Sequence, residues 1–161
     1  MLILQKSTLL QLTALLNNQQ IHKFIIPQKE EIAPSFLLEF AIDKLTKEPD
    51  NHFWWSPRLI VLDKLIVGMC GFKNLPNEDN SVEIGYGVIP SQQRKGFATS
   101  AVEVLLNEAF SQIEINSVIA HTVSSNNPSH KVLQKNGFIQ QGSKIDTDDG
   151  ELLIWQKFRG S

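Results

Sequence analysis

Cysteine is almost missing from these 161 residues: Cys70 stands alone. That count excludes a disulfide framework within the chain and a thiolate metal cluster. A dominant charge is missing too. The formal net charge of −2 exerts no global pull toward nucleic acid or anionic lipid. No apolar run approaches the roughly 18 residues that a membrane span needs. The opening Met1-Leu2-Ile3-Leu4-Gln5-Lys6 is too soon interrupted for a signal peptide. A cytoplasmic protein with no nucleic-acid or membrane partner is therefore expected. Tyrosine is as scarce as cysteine, with Tyr86 its single instance.

What is present suits one globular domain. Hydrophobic residues make up 42% and charged residues 20%, enough apolar material for a sizeable core at this length. Residues 1–159 are taken as that domain, and Gly160-Ser161 is set aside as a possible cloning scar. Cys70 lies in the apolar run Ile66 to Phe72 and reads as a buried strand thiol.

Leu2 to Gln5 reads as a first strand. A helix follows from Thr8 to Leu16, capped by Ser7 or Thr8, and a second covers Pro34 to Lys47 and stops before Pro49. Phe53 to Asp63 and Leu65 to Asn74, rich in aromatic and β-branched residues, read as a hairpin turning at Asp63-Lys64. On that reading the adjacent Trp54 and Trp55 face opposite ways. Val82 to Ile89 forms a third strand of this group. Phe97 to Phe110 carries one wide apolar face and is the clearest helix. Val118 to Val123 is a strand. Asn127 is read as the cap of the next helix, with Pro128 at its first position and Gly137 as its left-handed end. Phe138 to Gln141 and Leu152 to Phe158 close the chain as strands. The order is β-α-α-β-β-β-α-β-α-β-β, a mixed α/β domain with an antiparallel meander first and a parallel crossover after it.

The segment Gln93-Arg94-Lys95-Gly96-Phe97-Ala98 sits between a strand and a helix start. Free N–H groups and the positive end of a helix dipole make such a place an anion site. Gly96 lets backbone approach a ligand, and Ala98 leaves room for it. A phosphate-bearing ligand fits. The Gly-Lys-Ser/Thr ending of a Walker loop is absent. Gly85-Tyr86-Gly87 lies within a strand, so the dinucleotide fingerprint fails as well. A nucleotide hydrolase lacks its motif here.

Gln93 to Ala98 resembles the (Arg/Gln)-x-x-Gly-x-(Gly/Ala) motif of the GCN5-related N-acetyltransferases (GNAT). Glu83-Ile84-Gly85-Tyr86-Gly87-Val88 resembles that family's preceding strand. Asn126 to Phe138, of the form Asn-x-x-Ser-x-x-Val-Leu-x-Lys-x-Gly-Phe, resembles its second motif as found in the ribosomal-protein alanine acetyltransferase branch. The likeness is strong over residues 81–142. It implies a single GNAT-like domain of the α/β (α+β) class, with a central mixed, mostly antiparallel sheet flanked by helices. It implies acetyl-CoA as donor, a peptide, protein or small-molecule amine as acceptor, and no metal. The amides around Arg94, Lys95, Gly96, Phe97, Ala98 and Thr99, next to Gln93, would hold the pyrophosphate. The backbone of Val88 would pair with the pantetheine arm. Asn126 is left between a competing helix cap and a contact to that arm.

An amine must be neutral to attack a thioester. At pH 7 a lysine amine is neutral in about 1 in 2500 molecules and an α-amine in about 1 in 10, so a proton acceptor helps. Glu83, on the strand that should line the cleft, is the expected base. A backbone N–H near Val88 suits the oxyanion. Family members often place a tyrosine in the second motif to protonate the leaving thiolate; Leu133 stands at that position here. Ser129 is the polar group offered instead. His121 and His130 lack metal-ligand spacing and read as structural. Cys70, in apolar surroundings, is a poor nucleophile, so direct transfer in a ternary complex is expected. The alternative is a non-catalytic acyl-CoA-binding module of the same fold. Monomer and homodimer both stay open.

Overall fold

A computed structural model describes residues 1–161. Seven strands form one sheet in the order β1-β2-β3-β4-β5-β7-β6. They are β1 (Leu2–Lys6), β2 (Arg58–Leu62), β3 (Leu65–Phe72), β4 (Ser81–Val88), β5 (Ser117–Val123), β6 (Ile139–Asp146) and β7 (Gly150–Phe158). Every neighbouring pair is antiparallel except β4 and β5. The crossover between those two is α4 (Phe97–Phe110). No helix is long and apolar enough to cross a membrane.

Local chemistry explains most boundaries. Helix α1 (Leu9–Leu16) starts in a capping box: Gln11 N–H donates to Thr8 Oγ1 at 3.1 Å, and Thr8 N–H donates to Gln11 Oε1 at 3.0 Å. Helix α2 (Ser35–Lys47) carries Lys44 and Lys47 in its last turn, where cations suit the dipole. The β2–β3 turn has both central residues, Asp63 and Lys64, at positive φ (47° and 74°), the twist a two-residue hairpin favours.

The hairpin is shorter than its composition suggests. Pro49 opens a 3-10 turn, and His52–Trp55 forms a four-residue helix, α3. Phe53, Trp54 and Trp55 therefore do not lie in a strand. Packing overrides their β preference. Trp54 stacks edge-on against Phe53 and Phe72, while Trp55 turns away to meet Phe40 at 5.8 Å between ring centroids. At the other end of the chain, β6 and β7 run longer than expected. The turn is held by Asp146, which accepts the N–H groups of Asp148 and Asp149 at 3.0 Å each. Strand β6 is an edge strand exposed on both faces, so no alternation marks it.

The helices cover both faces of the sheet. On one, α4 lays Ala101, Val102, Leu105 and Ala109 against Val82, Ile84, Val118 and Ala120, joined by Leu133 of α5 (Asn127–Lys135), Phe138 and Trp155. On the other, Leu12 of α1 meets Leu38, Ala41 and Leu45 of α2 and Trp55. Beside them Leu59, Val61 and Ile66 bury Ile21.

One charge lies inside the larger core. Arg58 is fully buried. Its Nη1 donates to the carbonyls of Phe53 (2.6 Å) and Ser56 (2.7 Å), and its Nε to Glu108 Oε1 (3.4 Å). The guanidinium also lies over the rings of Phe53 and Phe72. Burial pushes its pKa down from the ordinary arginine value, and Glu108 opposes that shift. The group ties α3, β2 and α4 together. Glu108→Ala leaves a buried cation unpaired and should lower stability by about 3 kcal/mol. Urea unfolding at pH 7 measures this; an unchanged midpoint would show that Glu108 does not support Arg58.

Candidate active site

The site begins where β4 leaves β5. Their parallel pairing runs from Ser81↔Ser117 only to Ile84↔Ala120. Pairing of β4 with β3 continues to Gly68↔Val88. Lys73 N–H bonds to Glu83 O, and Ile89 N–H to Val67 O. By antiparallel alternation, the odd-numbered residues of β4 spend their peptide groups on β3. The peptide groups of Tyr86 and Val88 therefore face the opening. The Val88 carbonyl accepts Gln93 Nε2–H at 2.9 Å.

Both faces of the sheet contribute side chains at this opening. On the α4 face, Tyr86 reaches the start of α5, where its hydroxyl donates to the Ser129 carbonyl at 3.3 Å. Burial pushes the phenol up to about 12, so it stays a neutral donor. On the opposite face lie Glu83, Gly85 and Gly87. A Cβ at Gly87 would meet nothing within 4 Å, so the strand is bare there, while the Lys73 side chain covers Gly85.

Glu83 is not a free carboxylate. Its Oε2 accepts His121 Nδ1–H at 3.0 Å and the Lys73 ammonium at 3.2 Å. Burial alone would raise its pKa. The His121 hydrogen bond and the charge of Lys73 outweigh burial and hold the carboxyl below its ordinary value. His121, read from sequence as structural, is thus joined to the expected base. No local pattern signals this: the two residues are 38 apart and meet only because β4 and β5 are neighbours. His130 stands elsewhere, tilted against Trp155.

Beyond Val88 the chain forms a 3-10 turn, Pro90–Gln92, then the loop into α4. Arg94 (φ 65°) and Gly96 (φ 82°) are left-handed, so their peptide planes turn inward. Gly96 caps α4 with no side-chain bond. The first backbone N–H to find an acceptor is that of Ser100, on Gly96 O. The six amides from Arg94 to Thr99 donate to nothing in the protein. That is an anion cradle aligned with a helix dipole. Lys95 Nζ rests on Gln92 Oε1 at 3.0 Å. Glu30, from the segment between α1 and α2, clamps Ser91: its carboxylate accepts the Ser91 hydroxyl and the Ser91 N–H (2.8 Å). Those bonds lower its pKa.

Helix α5 supplies the far wall. Its cap is Asn126, not Asn127: Asn126 Oδ1 accepts the Ser129 N–H at 3.3 Å. Pro128, at the second helical position, has no N–H to give, so the cap reaches the third residue. The Asn126 carbonyl accepts His130 N–H, which fixes Asn127 inside the helix. At the other end, Gly137 (φ 81°) closes a Schellman motif, with Phe138 N–H on Leu133 O and Gly137 N–H on Gln134 O. Asn136, which sequence reasoning passed over, donates to Thr99 O at 3.1 Å and Val132 O at 3.0 Å. It links α5 to the first turn of α4. Cys70 lies in the α4-side core, its thiol pushed up to about 12 by burial.

The structure thus gathers Val88 and Gln93 to Thr99 along one continuous rim, with Asn126 and Ser129 on α5 beside Tyr86. Glu83 stands on the opposite face with His121 and Lys73. The donor set fits a diphosphate followed by an extended, peptide-like arm.

Comparison with known proteins identifies the family of the domain. Residues 3–139 match the family model described as an acetyltransferase (GNAT) domain. The chain is 34% identical over 77 residues to an uncharacterized N-acetyltransferase, p20, of Bacillus licheniformis, spanning 48% of this chain and 43% of that one. It therefore aligns with less than half the length of that relative. Among solved structures, ribosomal-protein-S5-alanine acetyltransferase from Vibrio fischeri superposes with a TM-score of 0.75 at 16% identity, covering 99% of this chain and 94% of that one. RimJ of Mycobacterium smegmatis, solved with CoA-disulfide, gives 0.71 at 18% identity, over 98% and 82%. With a family model spanning most of its length, and the strand opening and amide cradle in place, the chain belongs to the GNAT acetyltransferase family.

Proposed function

We propose that this protein moves an acetyl group from acetyl-CoA to a primary amine by direct attack in a ternary complex. One observation carries the reading: six successive unused amides at a helix start, at the mouth of an opening between two central strands. Arg94 to Thr99 hold the pyrophosphate by backbone donation, and Gln93 fixes the Val88 carbonyl in place. Tyr86 and Val88 offer the exposed peptide edge along which the pantetheine arm lies. When bound, acetyl-CoA supplies the acetyl group as a thioester. Asn126 has used its Oδ1 on the cap, so only its amide N–H groups are free for the arm.

The amine enters on the Glu83 face, where the uncovered Gly87 leaves room beside the Glu83–His121 pair. Ser129 stands beside the opening on the other face and offers a hydroxyl to the departing sulfur. Burial keeps the Cys70 thiol protonated, and it belongs to the α4-side core; both facts support direct transfer over a covalent acetyl-enzyme. A peptide or protein α-amine is the preferred acceptor, in keeping with the alanine acetyltransferase among the structural neighbours. An α-amine also needs less help to lose its proton. Such an enzyme would work in the cytoplasm.

Gly96→Glu places a carboxylate in the cradle. It should weaken acetyl-CoA binding at least ~100-fold, about 2.7 kcal/mol, with far-UV circular dichroism unchanged. Calorimetric titration with acetyl-CoA decides this, and wild-type affinity would refute the cradle. Ser129→Ala should lower kcat about 10-fold, the worth of one hydrogen bond to a charged group, while Kd for acetyl-CoA moves less than ~2-fold. Thiol release on an alanine-initiated peptide and a panel of primary amines measures it. Acetyl-CoA binding without turnover on any amine would instead mark a binding module.

A further inference from the structure

The proton-accepting atom on the acceptor face remains to be assigned, and the cluster around Glu83 assigns it. We propose that His121 Nε2 takes the proton from the incoming amine, and that Glu83 is the positioning residue behind it; this rests on the acetyl-transfer reading above. Glu83 Oε2 already holds two donors, His121 Nδ1 at 3.0 Å and Lys73 Nζ at 3.2 Å. An ionised carboxylate only accepts hydrogen bonds, so His121 must carry its proton on Nδ1. In the neutral ring Nε2 then bears the lone pair. Nε2 makes no hydrogen bond within the protein, and it is not sealed in. The buried polar side-chain atoms without a partner belong to Trp55, Arg58 and Glu108.

Position supports the same role. His121 is the first residue of β5 beyond the last pair with β4, Ile84↔Ala120, so it stands at the edge of the opening. Alternation puts it on the face opposite Ala120, which is in the α4-side core. That is the face of Glu83 and the uncovered Gly87. The charges facing the ring are Glu83 from β4 and Lys73 from the end of β3. Its cross-strand neighbour on β7 is Ile154, which is uncharged. The charge of Lys73 also reaches Asp146 of β6, as the smallest of the effects that lower that carboxyl.

Base strength separates the two candidates. Free imidazole is a stronger base than free carboxylate by about two pKa units. The Glu83 carboxyl is weakened further by its two partners. The substrate ammonium gives one proton to Nε2, and the nitrogen lone pair forms the C–N bond to the acetyl carbon. The C–S bond breaks with its electron pair on sulfur. The nitrogen loses its second proton, which ends on the thiolate, while imidazolium returns the first to solvent. Glu83 stabilises the imidazolium without accepting the proton.

His121→Gln should keep acetyl-CoA affinity and lower kcat/KM about 100-fold at pH 7 on an alanine-initiated peptide or a panel of primary amines. The deficit should shrink as pH rises through the amine's own pKa. Glu83→Gln should lower kcat/KM at unchanged acetyl-CoA affinity, and Glu83→Asp, which keeps an acceptor for Nδ1–H, should recover part of the loss. Nitrogen-15 shifts of His121 in the free protein should report an Nδ1–H tautomer, a readout independent of turnover. An Nε2–H tautomer, or an active wild type matched by His121→Gln in rate and pH profile, would overturn the assignment alone. A wild type that acetylates no amine would sink acetyl transfer, and the assignment with it.

Discussion

A sheet this wide does not readily part its central strands, because every exposed peptide group loses a partner when they separate. Here β4 and β5 part after Ile84↔Ala120, and β4 keeps only its β3 side. The rest of the architecture makes that separation tolerable. Tyr86 spans to α5 on one face. Gln93 occupies the Val88 carbonyl. Asn136 locks α5 to α4, so the two helices flanking the gap hold their spacing. The remaining peptide groups of β4 stay free to pair with a ligand that behaves as an extra strand.

The two faces of the sheet divide the work by polarity. The α4 face is a deep apolar core with one buried cation, Arg58, whose hydrogen bonds run to backbone carbonyls and one carboxylate. The other face carries two smaller clusters under α1 and α2 and leaves the end of β4 bare. Chemistry that needs charge can therefore proceed on that second face without disturbing the packing that holds the strands. The Glu83 ion cluster is compact enough to be half-buried yet reachable.

The sequence was most legible where pattern and motif coincide. From Ser81 to Phe138 the strand, loop, helix, strand and capped helix all lie where periodicity and turn residues put them, and α4 has the bounds its apolar face suggests. Legibility failed where tertiary contacts decide. Phe53 to Trp55 look like a strand but pack as a helical turn after Pro49. Asn126 and Asn127 are equal candidates by type, and only the path of the backbone tells them apart, by bringing the Ser129 N–H to Asn126 Oδ1 and the His130 N–H to Asn126 O. Strand β6 has no buried face to impose alternation. The pairing of His121 with Glu83 depends on strand adjacency across a crossover, which no local window contains.

The cradle at the start of α4 is built from peptide amides rather than side chains. The unused donors it presents therefore do not depend on which side chains stand at positions 94, 95, 97, 98 and 99, so long as the backbone keeps its path. Two steps in that path have positive φ, and Arg94 already carries a side chain at one of them; Gly96 takes the other without one. Such a device can drift widely in composition and still perform. This is one physical route by which solved structures only 16% to 18% identical to this chain can share its outline: what is inherited is a contour of the main chain, and the letters written over it are largely free to change.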